Sequence, residues 1–149
     1  MLDLSQLDKI LFLDIETVPE TYKYADLDET AKYLFDAKNA RFVTDLKTPE
    51  NAHEDEETLL RQFSKLIEDN YNTPYHKLCG HNSKEFDFPF ICRRMLIHGM
   101  KLPNVLNLAG KKPWEIQHLD TMELWKFGDY KAYTSLALLC HIFKIPTPK

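Results

Sequence analysis

The clearest pattern in the chain is an unbroken apolar run, Ile10 to Leu13, that ends on two carboxylates one residue apart, Asp14 and Glu16. Four apolar residues bounded by polar ones predict a strand buried on both faces. Side chains at i and i+2 share a face of a strand, so Asp14 and Glu16 project together while Ile15 points away. The second strong pattern is helical. Leu59, Leu60, Phe63, Leu66 and Ile67 recur at intervals of a helical turn, with charges on the opposite face. The acids from Glu54 to Glu57 fall in the first turns, where the helix dipole favours negative charge, so they need no other partner. Thr48-Pro49-Glu50 and the pair Asn51 and Glu54 have the form of helix-start signals. Upstream of them, Thr30 to Ala40 predicts a short helix and Arg41 to Leu46 a strand of alternating polarity.

Further along, His76 to His81 predicts a short strand that ends at Gly80. Pro89 is tolerated only in the first turn of a helix. The helix that contains it therefore starts near Asp87 or Phe88 and runs to about His98, where Gly99 stops it. Leu102 to Lys112 is broken by Pro103 and Gly110, with Pro113 following, and predicts a loop. Trp114 to Leu119 predicts another strand, and Asp120-x-x-Glu123 after it has the spacing of a capping box. A last helix spans about Thr134 to Lys144, with Leu136, Leu139, Cys140 and Phe143 as its apolar positions. Strands alternating with helices predict an α/β domain, and 149 residues suffice for one domain with a real core.

Composition changes this picture little: 44% hydrophobic and 28% charged residues suit a soluble globular chain. The net charge of −4 argues against broad electrostatic binding to nucleic acid. It leaves room for an enzyme that holds a few nucleotides at a metal site. There is no basic leader followed by an apolar core, and no run long enough to span a membrane, so the expectation is a cytoplasmic protein with no membrane partner. Cys79, Cys92 and Cys140 are scattered in apolar contexts, which predicts reduced, buried thiols rather than a disulfide framework or a zinc site.

The chemistry lies with the carboxylates. Two of them side by side at a strand end repel, and a divalent cation between them makes the arrangement favourable. Asp87, at a helix start just beyond a strand, offers a third; a side chain there can also simply cap its helix. Mg²⁺ and Mn²⁺ prefer oxygen ligands, and two such ions about 3.5–4 Å apart can serve phosphodiester hydrolysis. Asn82 either contacts substrate or ends its strand through a local bond to the backbone. Phe88 and Phe90 are expected in the core, and His81 as a hydrogen-bonded neighbour of the site. Lys111, Lys112, Lys126 and Lys131, near Trp114 and Trp125, either rim a phosphate path or form a solvated surface over buried tryptophans.

The wording of these segments resembles a known family. LFLDIETVP (residues 11–19) is similar to the first motif of the DEDD 3′–5′ exonucleases, and GHNSKEFDFPF (residues 80–90) to their second. Residues 111–140 also resemble stand-alone enzymes similar to the proofreading domain of family B DNA polymerases. The resemblance implies a DnaQ-like, ribonuclease H-like fold, a mixed sheet flanked by helices. It implies two Mg²⁺ or Mn²⁺ ions and removal of nucleotides from the 3′ end of single-stranded DNA. Matched residue by residue, Asp14, Glu16 and Asp87 correspond to catalytic metal ligands, and Thr17, Asn82 and Phe86 to positions lining the terminal nucleotides. The family's fourth carboxylate, in a Tyr-x-x-x-Asp or His-x-x-x-x-Asp motif, has no counterpart here, since neither Tyr133 nor His141 is followed by Asp at that spacing. One strand candidate stands between the first motif and the amphipathic helix where the family has two. The expectation is therefore an exonuclease-like domain over 1–149 with an incomplete sheet and without the last motif's helix. It is either an exonuclease of reduced activity or an inactive module that binds nucleic acid or serves structurally, alone or as an oligomer.

Overall fold

The structure is a computed structural model, which describes residues 4–15, 17, 24–33, 56–129, 131 and 133–146. By internal contacts the chain divides into two units, Met1–Ile15 with Asp55–Lys149, and Glu16–Glu54.

In the larger unit, three parallel strands form a sheet of order β1-β2-β3: β1 (Ile10–Phe12), β2 (Lys77–Gly80) and β3 (Leu119–Asp120). Register pairs Ile10 with Lys77 and Phe12 with Cys79 on one side of β2, and Cys79 with Leu119 on the other. Between β1 and β2 the chain forms α1 (Glu56–Asn70), and between β2 and β3 it forms α2 (Asp87–Ile97). After β3 come α3 (Thr121–Lys126) and α4 (Leu136–Phe143). This is the expected α/β arrangement, consistent with part of a ribonuclease H-like sheet.

The continuous apolar run behaves differently on the two strands. β2 is central, and Leu78 and Cys79 are buried whichever face they point to. On β1, Leu11, Leu13 and Ile15 pack against the main core, but Phe12 is 61% exposed. The expectation that this run is buried on both faces thus fails at Phe12. The core-facing set is every second residue, and among the described residues nothing covers Phe12 on the other face. The main core joins Leu60 and Ile67 of α1 with Phe88, Ile91 and Met95 of α2, Leu78 of β2, and Met100 and Leu106 beyond α2. Leu59 and Leu66, expected on α1's apolar face, are exposed; the buried stripe runs through Leu60, Ser64 and Ile67.

α2 starts and stops where Pro89 and Gly99 place it, with His98 as C-cap and Gly99 at φ 64°. The strand expected over Trp114 to Leu119 is mostly absent. Pro113–Glu115 is a 3₁₀ turn, Trp114 is 78% exposed, and only Leu119–Asp120 pairs with β2. Asp120 turns at once into the N-cap of α3, which leaves no room for a longer strand. α4 is capped by Ser135, whose Oγ accepts the Leu138 N–H at 3.2 Å. It buries Leu139 and Cys140, while Phe143 is 56% exposed and meets the Trp125 ring edge-on.

In the smaller unit, Tyr24–Asp26 is a 3₁₀ turn and residues 29–33 are helical, overlapping the start of the helix expected over Thr30 to Ala40, of which residues 34–40 lie outside the described residues. The strand expected at Arg41 to Leu46 and the helix-start signals near Pro49 and Asn51 lie outside the described residues. Among the described residues no helix is long and apolar enough to cross a membrane. Cys79 and Cys140 are buried, Cys92 is half-buried, and all three are free thiols.

Candidate functional site

Strands in a parallel sheet all end on the same side, and here those ends gather the acids. β1 leads to Asp14, β2 to the turn carrying Asn82, and β3 ends on Asp120. The Leu13 N–H donates to the Cys79 carbonyl at 2.9 Å, which extends the ladder by one bond and brings Asp14 to the sheet's lip. Asp14 is exposed there.

Asp87 comes from the other direction, as the first residue of α2. It is 4% exposed, and its Oδ1 accepts the Ile15 N–H at 3.1 Å. The carboxyl therefore reaches across to the strand end instead of capping its own helix, whose N-cap position is Phe86 with no side-chain cap. Burial pushes the Asp87 carboxyl above its ordinary value. The Ile15 N–H and its own N–H oppose that rise, and the charges of Asp14 and Asp120 add to it. A carboxyl raised by burial, and further by its acidic neighbours, suits a cation, which would favour the ionised form.

The donor set is all oxygen, which fits a hard divalent ion such as Mg²⁺. Among the described residues no three His, Cys, Asp or Glu side chains are grouped to hold a metal. Glu16, the other acid of the first motif, lies outside the described residues, and Thr17 is exposed.

The turn between β2 and α2 is tightly built. Asn82 has φ 60°, a left-handed conformation that Asn tolerates better than most residues. Its N–H donates to Asp120 Oδ1 at 2.9 Å, and the Lys84 N–H donates to Asp120 Oδ2 at 3.1 Å. Asn82 Oδ1 and Ser83 Oγ are buried without a hydrogen-bond partner among the described residues, so Asn82 does not end the strand through that oxygen. Phe86 is 46% exposed, with its ring stacked on Phe90 at 5.8 Å between centroids. Phe88 is fully buried, whereas Phe90 is only half-buried.

His81 touches Thr121 Oγ1 through Nδ1 at 2.9 Å and the Thr134 carbonyl through Nε2 at 2.8 Å. Both ring nitrogens are thus engaged in tying the turn to α3 and to the segment before α4. Lys84 pairs with Glu123 at 2.5 Å, and the Tyr133 hydroxyl donates to Glu85 at 3.2 Å. Among the lysines of the considered rim, Lys126 lies over the Tyr133 ring at 4.5 Å and Lys112 over Trp114 at 5.3 Å. The tryptophans are not both buried, since Trp114 stands in solvent.

Asp120 has the cap role that its spacing predicts: its carboxylate accepts the Met122 and Glu123 N–H groups. Its bonds to the Asn82 turn are the part that sequence reasoning missed, because two residues some forty positions apart carry no local signal. His118 was likewise unmarked. It is buried, with Nδ1 accepting the Leu78 N–H and Nε2 donating to the Val105 carbonyl, and burial lowers its pKa, which keeps the ring neutral.

A family model described as a predicted 3′–5′ exonuclease related to the exonuclease domain of PolB matches residues 20–148. The matched span contains Asn82, Phe86, Asp87 and Asp120, and Asp14, Glu16 and Thr17 precede it. Neither a curated protein nor a solved structure matches the chain.

Proposed function

We propose a function from one premise: the chain belongs to the family of predicted 3′–5′ exonucleases related to the exonuclease domain of PolB. Its substrate is single-stranded DNA, shortened from the 3′ end. Asp14, Glu16 and Asp87 hold two Mg²⁺ or Mn²⁺ ions. When bound, such ions supply an activated water and stabilise the leaving oxygen of the phosphodiester.

The chain's own groups do the positioning. The Ile15 N–H fixes the Asp87 carboxyl at the end of β1, beside Asp14. The half-exposed Phe86 ring, braced from behind by Phe90, offers a face to a base or sugar. Thr17 and Asn82 line the terminal nucleotides. The single observation that carries this reading is the buried Asp87 carboxyl bonded to the backbone next to Asp14.

The test is a 5′-labelled single strand incubated with the 149-residue chain and Mg²⁺ or Mn²⁺, beside Asp14→Asn. A ladder shortening from the 3′ end, absent in the variant, supports the reading; identical traces end it. A labelled RNA strand run in parallel decides between the two nucleic acids.

A second reading is favoured by one observation. Of the two aspartates downstream of Asp87, Asp120 is committed to four backbone N–H groups and Asp129 accepts the Lys131 N–H. With neither presented as a fourth ligand, the domain is an inactive module that binds a 3′ end without cutting it. Saturable anisotropy of a labelled strand with no shortening would identify that state.

A further inference from the structure

The Asp120 carboxylate is 3% exposed, and its oxygens accept four backbone N–H groups from two separate segments. Oδ1 takes Asn82 at 2.9 Å, Met122 at 3.0 Å and Glu123 at 3.3 Å, and Oδ2 takes Lys84 at 3.1 Å. Met122 and Glu123 are the donors that a helix cap serves. Asn82 and Lys84 are not; capping α3 needs neither. They belong to the turn that runs directly into α2. The Asn82 carbonyl accepts the Glu85 and Phe86 N–H groups, and the Ser83 carbonyl accepts that of Phe88 at 2.9 Å. The turn and the first turn of α2 are therefore one hydrogen-bonded unit, and Asp87 stands inside it.

We infer that Asp120 is a positioning residue for the candidate site. Its carboxylate sets the place of the Asn82–Lys84 turn, and through that turn the place from which α2 presents Asp87 to the end of β1. Other links between the turn and α3 are weaker candidates for this task. The Lys84–Glu123 pair leaves Glu123 half in solvent, where ion pairs contribute little, and the Thr121 hydroxyl reaches Gly80 at a long 3.3 Å. His81 meets Thr121 at 2.9 Å, but it precedes the Asn82–Lys84 turn and engages none of that turn's amides. The catalytic consequence rests on the exonuclease reading; the structural one does not.

Asp120→Asn separates the two roles. Its side-chain oxygen can keep the three Oδ1 donors, cap included, while its amide group then faces the Lys84 N–H and leaves that donor unpaired. The expected result is faster hydrogen exchange at the Lys84 amide, by about tenfold or more, since a buried donor without an acceptor opens readily. The Met122 and Glu123 amides stay near those of the unaltered protein, and the thermal midpoint falls only by the few degrees that one unpaired donor costs. In the cleavage assay kcat falls by roughly tenfold or more while KM changes little, because the acid is displaced and not the strand. Unchanged exchange at Lys84 in the folded variant, or unchanged kcat, overturns the inference. If the unaltered protein cleaves nothing, the exonuclease reading fails, and exchange at Lys84 alone decides the positioning role. If the variant does not fold, the unaltered protein decides. Asn82 and Lys84 amides exchanging as slowly as that of Leu78 support the inference, and free exchange at both overturns it.

Discussion

A Cβ placed on Gly80 would stand 2.7 Å from the Ser83 Cβ and 2.9 Å from the Leu13 carbonyl oxygen. The first of these is a side chain that could be removed, and the second is backbone that cannot. Gly80→Ala should therefore cost about 1–3 kcal/mol, as overpacking in a tight interior does. Adding Ser83→Gly should return part of that loss but not all, which urea unfolding of the single and double variants measures. The sequence marks Gly80 only as the end of a strand, since the residues it meets are brought there by the fold. The same limit separates the acids. Asp14 and Asp87 are visible as candidates because each sits at a recognisable strand end or helix start. Their difference is not, because burial of Asp87 and exposure of Asp14 depend on which element covers which.

Between elements, α1 and α2 are fastened by Glu56. Its carboxylate takes Arg94 through both Nε and Nη2 and also meets His98 Nε2 at 2.9 Å. The Arg94 bond, above all, lowers Glu56 from the usual 4.5 to about 2, with burial opposing and His98 helping. A carboxyl depressed on folding stabilises the native state above its ordinary value, and that stabilisation is withdrawn as pH falls from 4.5 toward about 2. Because the side chain is 38% exposed, solvent screening limits the effect to about 1 kcal/mol. Glu56→Gln should lower stability by that amount at neutral pH, with the gap to the unaltered protein closing below pH 4.5, as read from urea midpoints across the range. At the other end of the chain, Ser135→Ala should cost about 1 kcal/mol by removing the α4 cap, measurable by thermal unfolding. Elements with a local stop signal were legible: α2 between Pro89 and Gly99 is the clearest. β3 was not. Its alternation over Trp114 to Leu119 imitates a strand, but a strand needs a neighbour, and only its last two residues reach β2.

For the whole molecule, Phe88 is the largest fully buried side chain among the described residues. It is fully buried on α2, meets the His118 ring edge-on at 5.1 Å, and belongs to the cluster joining both helices to the sheet. Phe88→Ala should cost about 3–5 kcal/mol. That is a large share of the roughly 5–15 kcal/mol that holds a domain together, so the urea transition should shift far toward zero denaturant. The α/β class and the family were both legible in the chain, because they are carried by the order of motifs and elements. Whether further acids join Asp14 and Glu16 was not, because those two stand one residue apart in sequence while any partner must arrive from a distant helix.

The parallel register has a further consequence, for the order of events in folding. Among the described residues no two strands of this sheet pair as a hairpin: Ile10 must find Lys77, and Cys79 must find Leu119, across long intervening segments. Closing such loops costs entropy before the ladder returns anything. The sheet should thus assemble late and slowly, on a nucleus supplied by the packing of α1 on α2. In stopped-flow refolding, truncations at the α1–α2 contact, such as Ile67→Ala, should slow folding, whereas truncation of Ile10 on β1 should mainly hasten unfolding.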